Sequence, residues 1–207
     1  MRTGLYGKDF SFFLARPVDV LAAVRQTRGR KFDETLILGT TGRCGFGLPR
    51  VLVCAPFHAS APFPTTFWLT CPRLVRLAGE AESRGGVGEL EHWIERHAPR
   101  EWIPFNIAHQ RLRLSLLPDA AQVFLRRFRP RLFGRVRGVG VGGLRYGAAK
   151  DKSVRVKCLH LQLASWLALG RHPGAEWLAG RFGEACDKPC SPVPQKTSNT
   201  NSISIGR

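Results

Sequence analysis

The order of apolar and polar positions divides the chain into a β-rich first part and a helical second part. Three apolar runs, at 35–40, 50–57 and 65–70, are rich in Val, Ile, Leu, Phe and Trp, and turns containing Gly or Pro separate them. Short runs of this composition are typical of β-strands. Together they predict a small antiparallel sheet of about three strands.

Helical periodicity surrounds this sheet. Pro17 and the amphipathic residues after it predict a first helix within 16–30. After Cys71-Pro72 the pattern changes, and further helices are predicted at 72–85, 88–99, 107–117, 119–128, 156–170 and 175–186. A small sheet packed with several helices is an α+β fold.

The composition predicts one domain over 1–185 and a disordered C-terminal tail. The 207 residues, of which 43% are hydrophobic, can bury a core without disulfides. The segment 186–207 is aperiodic and rich in Pro, Ser, Thr and Asn, which favours disorder. No apolar run approaches the roughly 18 residues of a membrane span, and the N-terminus lacks a signal-peptide cleavage site. We therefore expect a cytoplasmic protein with reduced cysteines and no membrane partner.

The net charge of +17 indicates an anionic partner. The densest positive block lies at 126–137 and contains no acidic residue. If it forms a binding face, it would bind nucleic acid or polyphosphate with little base preference, because no recognition helix or stacking motif is evident. The alternative is a solvated arginine-rich face without a partner. The arginines concerned are Arg126, Arg127, Arg129, Arg131, Arg135 and Arg137.

Four motifs carry a resemblance to a known family. In order they read RCGFGLP (43–49), PFPTTFWLTCP (62–72), GVGVGGLR (138–145) and VKCLH (156–160). In this order and spacing they resemble a bacterial family catalogued only as domain of unknown function 501. The resemblance runs from about Arg25 to about Gly183 and implies neither a substrate nor a reaction. One departure is Cys44-Gly45, where the family often has Cys-Pro.

The same motifs contain a candidate metal or thiol site. Three cysteines and one histidine in the distinctive segments could form a closed tetrahedral zinc site, made of Cys44, Cys71, Cys158 and His160. Cys158 is expected at a helix N-terminus beside Lys157, where its thiol pKa would be lowered, so both residues are catalytic candidates.

Other roles for these residues remain open. An iron–sulfur cluster is the weaker metal hypothesis, because the chain lacks the usual Cys-x-x-Cys runs. Alternatively the cysteines are small buried hydrophobic residues and His160 is a hydrogen-bonded core histidine. Cys186 and Cys190 border the predicted tail and are expected to stay apart from the candidate site.

The glycine-rich run at 138–147 is a candidate anion site. Backbone N–H groups near Gly140, Gly142 and Gly143 could bind an anion together with Arg137 and Arg145. The run matches no nucleotide-binding motif, and the alternative is a tightly turning connector.

The sequence therefore leaves two functions open. The first is a metal- or thiol-dependent protein, enzymatic or not, acting on an anionic ligand. The second is a non-enzymatic nucleic-acid or polyphosphate-binding protein whose cysteines are structural. Neither the reaction, the substrate nor the oligomeric state follows from the residues.

Overall fold

The computed structural model describes residues 10–27, 32–58, 61–138, 154–183, 186–190 and 202–205. Within these ranges eight helices pack with an antiparallel sheet, which confirms the predicted α+β fold.

The main sheet has the strand order β6-β3-β2-β1-β7, with every neighbouring pair antiparallel. Two further strands, β4 and β5, form a small separate hairpin. The strands are β1 (Phe10–Leu14), β2 (Ile37–Arg43), β3 (Pro49–Cys54), β4 (Phe57–His58), β5 (Ala61–Pro62), β6 (Phe67–Leu69) and β7 (Ser202–Ile205).

The three predicted strands are confirmed as β2, β3 and β6, whereas β1 and β7 of the main sheet and the β4–β5 hairpin were not predicted. The Phe-rich segment of β1 pairs with β2, where the sequence suggested only an apolar patch. The four residues of β7, inside the predicted tail, pair with β1 and are therefore ordered as a strand. Between Cys190 and β7 the tail lies outside the described residues, and its disorder stays a prediction.

The seven predicted helices occur in the predicted order, and Pro130–Arg137 is a further helix that was not predicted. The helices are α1 (Pro17–Gln26), α2 (Pro72–Ser83), α3 (Gly86–His97), α4 (Pro99–Ser115), α5 (Asp119–Phe128), α6 (Pro130–Arg137), α7 (Leu159–Leu169) and α8 (Ala175–Phe182). Helix α4 begins eight residues before the predicted start at 107. Pro99 occupies its first turn, where proline is tolerated, whereas Pro104 lies inside the helix, where proline usually disfavours helix. None of the described helices is both long and apolar enough to cross a membrane.

Helix α7 lies at the centre of the main core. It packs on β6, β3, β2 and α2, and its sequence LHLQLASWLAL is buried on most of its surface. Leu159, Leu163 and Ala164 are fully buried there together with Val51, Phe67, Leu90, Ile94 and Trp102. At Gly42 (φ 59°) an added Cβ would lie 3.0 Å from the Leu167 carbonyl oxygen, so β2 approaches the C-terminal part of α7 closely.

A second, smaller core fixes α5 and α6. Leu117, Leu125 and Val136 are buried there, with Leu132 and Phe133 partly buried against them. Because this core is small, the outward faces of both helices remain on the surface.

Candidate functional site

The structure places Cys44 in the turn between β2 and β3. Its N–H donates to the Leu48 carbonyl (3.0 Å), and its own carbonyl accepts from the Gly47 N–H (2.9 Å). This turn follows Gly42, which contacts Leu167 near the C-terminal end of α7. Nine residues of helix separate Leu167 from Cys158, a rise of about 13 Å. Cys44 therefore comes two residues after Gly42, which lies near the C-terminal part of α7, whereas Cys158 precedes the first residue of α7.

The neighbouring Arg43 has a structural role. Its guanidinium donates to both carboxylate oxygens of Asp19 in α1, at 2.8 and 3.0 Å, and to the Gly47 carbonyl at 2.8 Å. Burial of Asp19 acts to raise its pKa, but hydrogen bonds and charges from Arg43 and Arg16 hold that pKa below its usual value. The motif RCGFGLP thus fixes the β2–β3 turn against α1.

The motif VKCLH is fastened to two neighbouring helices through carboxylates. Cys158 is the N-cap residue, and α7 begins at Leu159. Glu82 of α2 accepts hydrogen bonds from the N–H groups of Leu159 (2.6 Å) and His160 (3.2 Å). Glu91 of α3 accepts from the Val156 N–H (2.7 Å). The Glu82 carboxylate therefore provides the negative charge that stabilises the N-terminus of α7.

His160 is held by hydrogen bonds at both ring nitrogens. Nδ1 lies 2.9 Å from Glu82 Oε1, and Nε2–H donates to the Val75 carbonyl (3.1 Å). A carbonyl oxygen can only accept, so Nε2 carries a proton. Because both nitrogens contact atoms of the protein, metal binding by His160 would require one of these contacts to break.

The Cys158 thiol does not have the lowered pKa that the sequence predicted. Burial raises its pKa, and the negative charge of Glu82 acts in the same direction. Backbone N–H groups and the positive charge of Lys157 oppose this shift without reversing it. The catalytic roles predicted for Cys158 and Lys157 rested on an activated thiolate, and this environment disfavours one.

Charges at Cys186 and Cys190 act on the Cys71 thiol, although these two cysteines were expected to stay apart from the candidate site. Burial raises the pKa of the Cys71 thiol, and the thiolates of Cys186 and Cys190 add to that rise. Cys186 packs against the same core cluster as Cys71, and Gln26 Nε2 donates to Cys190 Sγ at 3.4 Å. Cys71 precedes the first residue of α2. Cys158 lies toward the other end of this helix, because Glu82, near the last residue of α2, contacts Leu159.

These positions give the predicted metal site no support. Among the described residues, which include Cys44, Cys71, Cys158 and His160, no group of three or more His, Cys, Asp or Glu side chains is placed to hold a metal ion. A zinc or iron–sulfur site therefore stays a prediction. Of the glycine-run candidates, Gly140, Gly142, Gly143 and Arg145 lie outside the described residues, and Arg137 is the half-buried last residue of α6.

A dense cluster of exposed, positively charged side chains lies on α5 and α6. Both helices carry arginines on their outer surfaces, and no acidic residue occurs between Asp119 and the end of α6. We call the following set the arginine surface: Arg126, Arg127, Arg129, Arg131 and Arg135, all of them exposed. Arg137, the remaining arginine of the block, is half-buried, and Pro130 separates the two helices.

Exposed apolar side chains lie among these arginines. Phe124 is 52% exposed, Phe128 is 61% exposed, and their ring centroids are 5.3 Å apart. The Arg127 guanidinium lies 5.7 Å from the Phe128 ring centroid, and that of Arg126 lies 5.3 Å from the Phe133 ring centroid. The sequence analysis did not identify these exposed rings, because their exposure depends on which face of helix α5 is buried.

A buried arginine, Arg113 of α4, supports this surface from below. Its Nε–H donates to the Val136 carbonyl of α6 (2.9 Å), and its Nη2 donates to the carbonyls of Pro56 (3.0 Å) and Phe63. Burial lowers the pKa of Arg113 to about 10, so the side chain is still a cation at neutral pH. It connects α4, α6 and the β4–β5 hairpin through backbone acceptors that do not depend on other side chains.

A family model described as a protein of unknown function, DUF501, matches residues 40–179. The chain belongs to this family. No curated protein and no solved structure matches it. The DUF501 region contains the Glu82–His160 contact, Arg113 and the arginine surface. It does not contain α1, β1, Cys186 or Cys190.

Several important residues of this DUF501 chain were not found from the sequence. Glu82 looks like any surface helix carboxylate, and only the approach of α7 gives it a role. For Arg113, its place among leucines in RLRLSLL was a signal that it could be buried. His109 and His172 are buried as well, and burial lowers the pKa of each to about 3. Nothing local in the sequence distinguishes them from exposed histidines.

Proposed function

We propose that this protein binds single-stranded nucleic acid through the surface of α5 and α6. The observation that carries this proposal is the placement of the exposed Phe124 and Phe128 rings within the arginine surface. Arginine supplies contacts to phosphate, and an exposed aromatic ring supplies a face on which an unpaired base can stack.

The charge of the region supports binding to phosphate. The guanidinium groups belong to two consecutive helices, with no carboxylate between Asp119 and Arg137 to compete for them. Each phosphate that they neutralise releases condensed counterions, which favours binding at low salt. The net charge of the whole chain, +17, further favours association with a polyanion.

The aromatic residues favour a single strand over polyphosphate or duplex. Polyphosphate has no bases, and in a duplex the base faces are covered by stacking on their neighbours. Phe124 and Phe128 are more than half exposed and are next to Arg127, so one nucleotide could contact a ring and a guanidinium together. Base–aromatic stacking is worth about 1–3 kcal/mol per base and tolerates any base. Little sequence preference is expected.

This proposal corresponds to the second function that the sequence left open, with the cysteines structural. A nucleic-acid-binding role also fits the cytoplasmic location expected from the sequence. The first function, a metal- or thiol-dependent protein, has no supporting metal-binding geometry among the described residues.

The proposal is tested by titrating a fluorescently labelled 20-nucleotide oligo(dT) with the protein and with two variants. Phe124→Ala/Phe128→Ala should weaken binding by about 1–3 kcal/mol for each ring that stacks. Phe13→Ala is the matched control, because Phe13 is an exposed ring (39%) on β1, outside the arginine surface. It should leave affinity unchanged.

Competition experiments separate the possible partners. Unlabelled oligo(dT) should displace the probe at lower phosphate concentration than polyphosphate does. If polyphosphate competes equally well and Phe124→Ala/Phe128→Ala does not change oligo(dT) affinity, the surface recognises only charge. Strong binding to phosphatidylserine-containing vesicles, without binding to oligo(dT), would assign the surface to a membrane and would contradict the proposal.

A further inference from the structure

A pocket of about 310 Å³ lies between the first half of α4 and the loop that joins α7 to α8. Its volume is at the lower end of the range for small-molecule sites. The lining residues come from these two segments only: Arg100, Glu101, Pro104 and Phe105 on one side, and Arg171, His172 and Pro173 on the other.

His172, in the wall of this pocket, is fixed by hydrogen bonds and by ring contacts. His172 Nδ1 accepts from the Gly174 N–H (2.9 Å), and His172 Nε2–H donates to Gln162 Oε1 of α7 (2.8 Å). The His172 ring also packs against Phe105, with centroids 4.7 Å apart, and against Trp102 at 6.2 Å. Both nitrogens of His172 are thus engaged within the protein. The ring shapes the pocket and does not act there as an acid or base.

The chemistry of the lining selects a class of ligand. Each wall contributes one exposed arginine, Arg100 from α4 and Arg171 from the loop, and the guanidinium group pairs well with carboxylate and phosphate. Glu101 is the single carboxylate of the lining, so positive charge exceeds negative charge. Pro104 and Phe105 add apolar surface between the charged groups.

We infer that this pocket binds a small organic anion, with its carboxylate or phosphate group between Arg100 and Arg171 and its apolar body against Phe105. The site is separate from the arginine surface, which lies on α5 and α6. Neither the metal hypothesis nor the nucleic-acid proposal assigns any role to it.

The test uses four probes that share a phenyl group and differ in charge: benzoate, phenyl phosphate, benzyl alcohol and benzylamine. Binding is followed through the indole Nε1–H resonance of Trp102, which packs on His172 and Phe105. The resonance is assigned with Trp102→Phe. At least one anion should bind about tenfold more tightly than benzyl alcohol, as expected for a charge-assisted contact. The comparison of benzoate with phenyl phosphate decides which anionic group is preferred.

Two matched variants make the test specific. Arg100→Gln should remove the preference for the anions over benzyl alcohol, whereas Arg111→Gln should keep it, because Arg111 is exposed on α4 but does not line the pocket. Equal binding of all four probes, or no binding of either anion, would overturn the inference, as would an unchanged preference in Arg100→Gln. A variant of the arginine surface should retain anion binding, so this result and the nucleic-acid result can fail separately.

Discussion

The carboxylate of Glu82 and the imidazole of His160 are in direct contact, with Oε1 2.9 Å from Nδ1. The same oxygen accepts the N–H groups of Leu159 and His160, so one side chain of α2 caps α7 and orients its second residue. The VKCLH motif is explained by this attachment. It places the N-terminus of the central helix against α2, with the half-buried Cys158 beside it.

Glu82→Ala should destabilise the fold by about 1–3 kcal/mol, because it removes the cap of α7 and leaves backbone N–H groups without their acceptor. Urea denaturation measures this change in the free energy of unfolding. Glu80→Ala provides the control, since Glu80 lies in the same helix but forms only exposed pairs with Arg76 and Arg84. Equal effects of the two substitutions would contradict the capping role.

The thiols of Cys158 and Cys71 should react slowly with iodoacetamide at pH 7.5 compared with the exposed Cys190. Burial raises the pKa of both Cys158 and Cys71, so little thiolate is present. Mass spectrometry of timed samples measures the three rates in one protein. Glu82→Gln removes a negative charge beside Cys158 and should accelerate its alkylation. Alkylation of Cys158 ahead of Cys190 would restore the activated nucleophile predicted from the sequence.

Stability should fall as the pH decreases below about 6.5. Burial lowers the pKa of His109 and of His172 to about 3, whereas in the unfolded chain they titrate near 6.5. Below that value the unfolded state binds more protons, so each histidine removes about 2 kcal/mol between pH 7 and pH 5. Above the pKa of these two histidines in the unfolded chain, both rings are neutral in both states, and their full contribution to stability is present.

The histidine contribution is measured by thermal unfolding at several pH values. His109→Phe keeps the ring that packs on Phe67 and Phe105, and it should roughly halve the pH dependence. His92→Gln, at an exposed position of α3, should not change it. An unaltered pH profile in His109→Phe would mean that His109 is not buried as a neutral ring.

Arg113→Met should destabilise the protein by at least about 3 kcal/mol, because three backbone carbonyls lose a cationic donor in a buried site. Arg111→Met, at an exposed site on the same helix, should have little effect on the urea midpoint. A small effect of Arg113→Met would show that α6 and the β4–β5 hairpin are held by their apolar contacts alone.

The fold class and most elements could be predicted because their signals are local. Short apolar runs located β2, β3 and β6, and Pro17 and Pro72 marked where two helices begin, whereas α6, which begins at Pro130, was not predicted. The start of α4 was misplaced because Pro104 interrupts its periodicity. Strand β7 has no partner nearby in the sequence, and its pairing with β1 joins the two ends of the chain.

The candidate site was predicted less well because it depends on distances between elements. Cys44 and Cys158 both lie in distinctive motifs, yet Gly42, just before Cys44, lies near the C-terminal part of α7, whereas Cys158 precedes its first residue. The positive block at 126–137 was easier to locate, and five of its six arginines are exposed on or between α5 and α6. The aromatic residues beside them could be recognised only after α5 was seen to bury Leu125 and to expose Phe124 and Phe128.

The central claim, that α5 and α6 bind single-stranded nucleic acid, is tested most directly by the salt dependence of oligo(dT) binding. The wild type is compared with Arg127→Gln/Arg131→Gln/Arg135→Gln and with a control of equal charge, Arg25→Gln/Arg96→Gln/Arg111→Gln, which changes exposed arginines on three other helices. The first variant should bind weakly, and the slope of log affinity against log salt should decrease in magnitude by about 2, as expected for three lost phosphate contacts. The control variant should keep most of the affinity and most of the salt slope. Equal losses in the two triple variants, or no measurable binding by the wild type at low salt, would contradict the account.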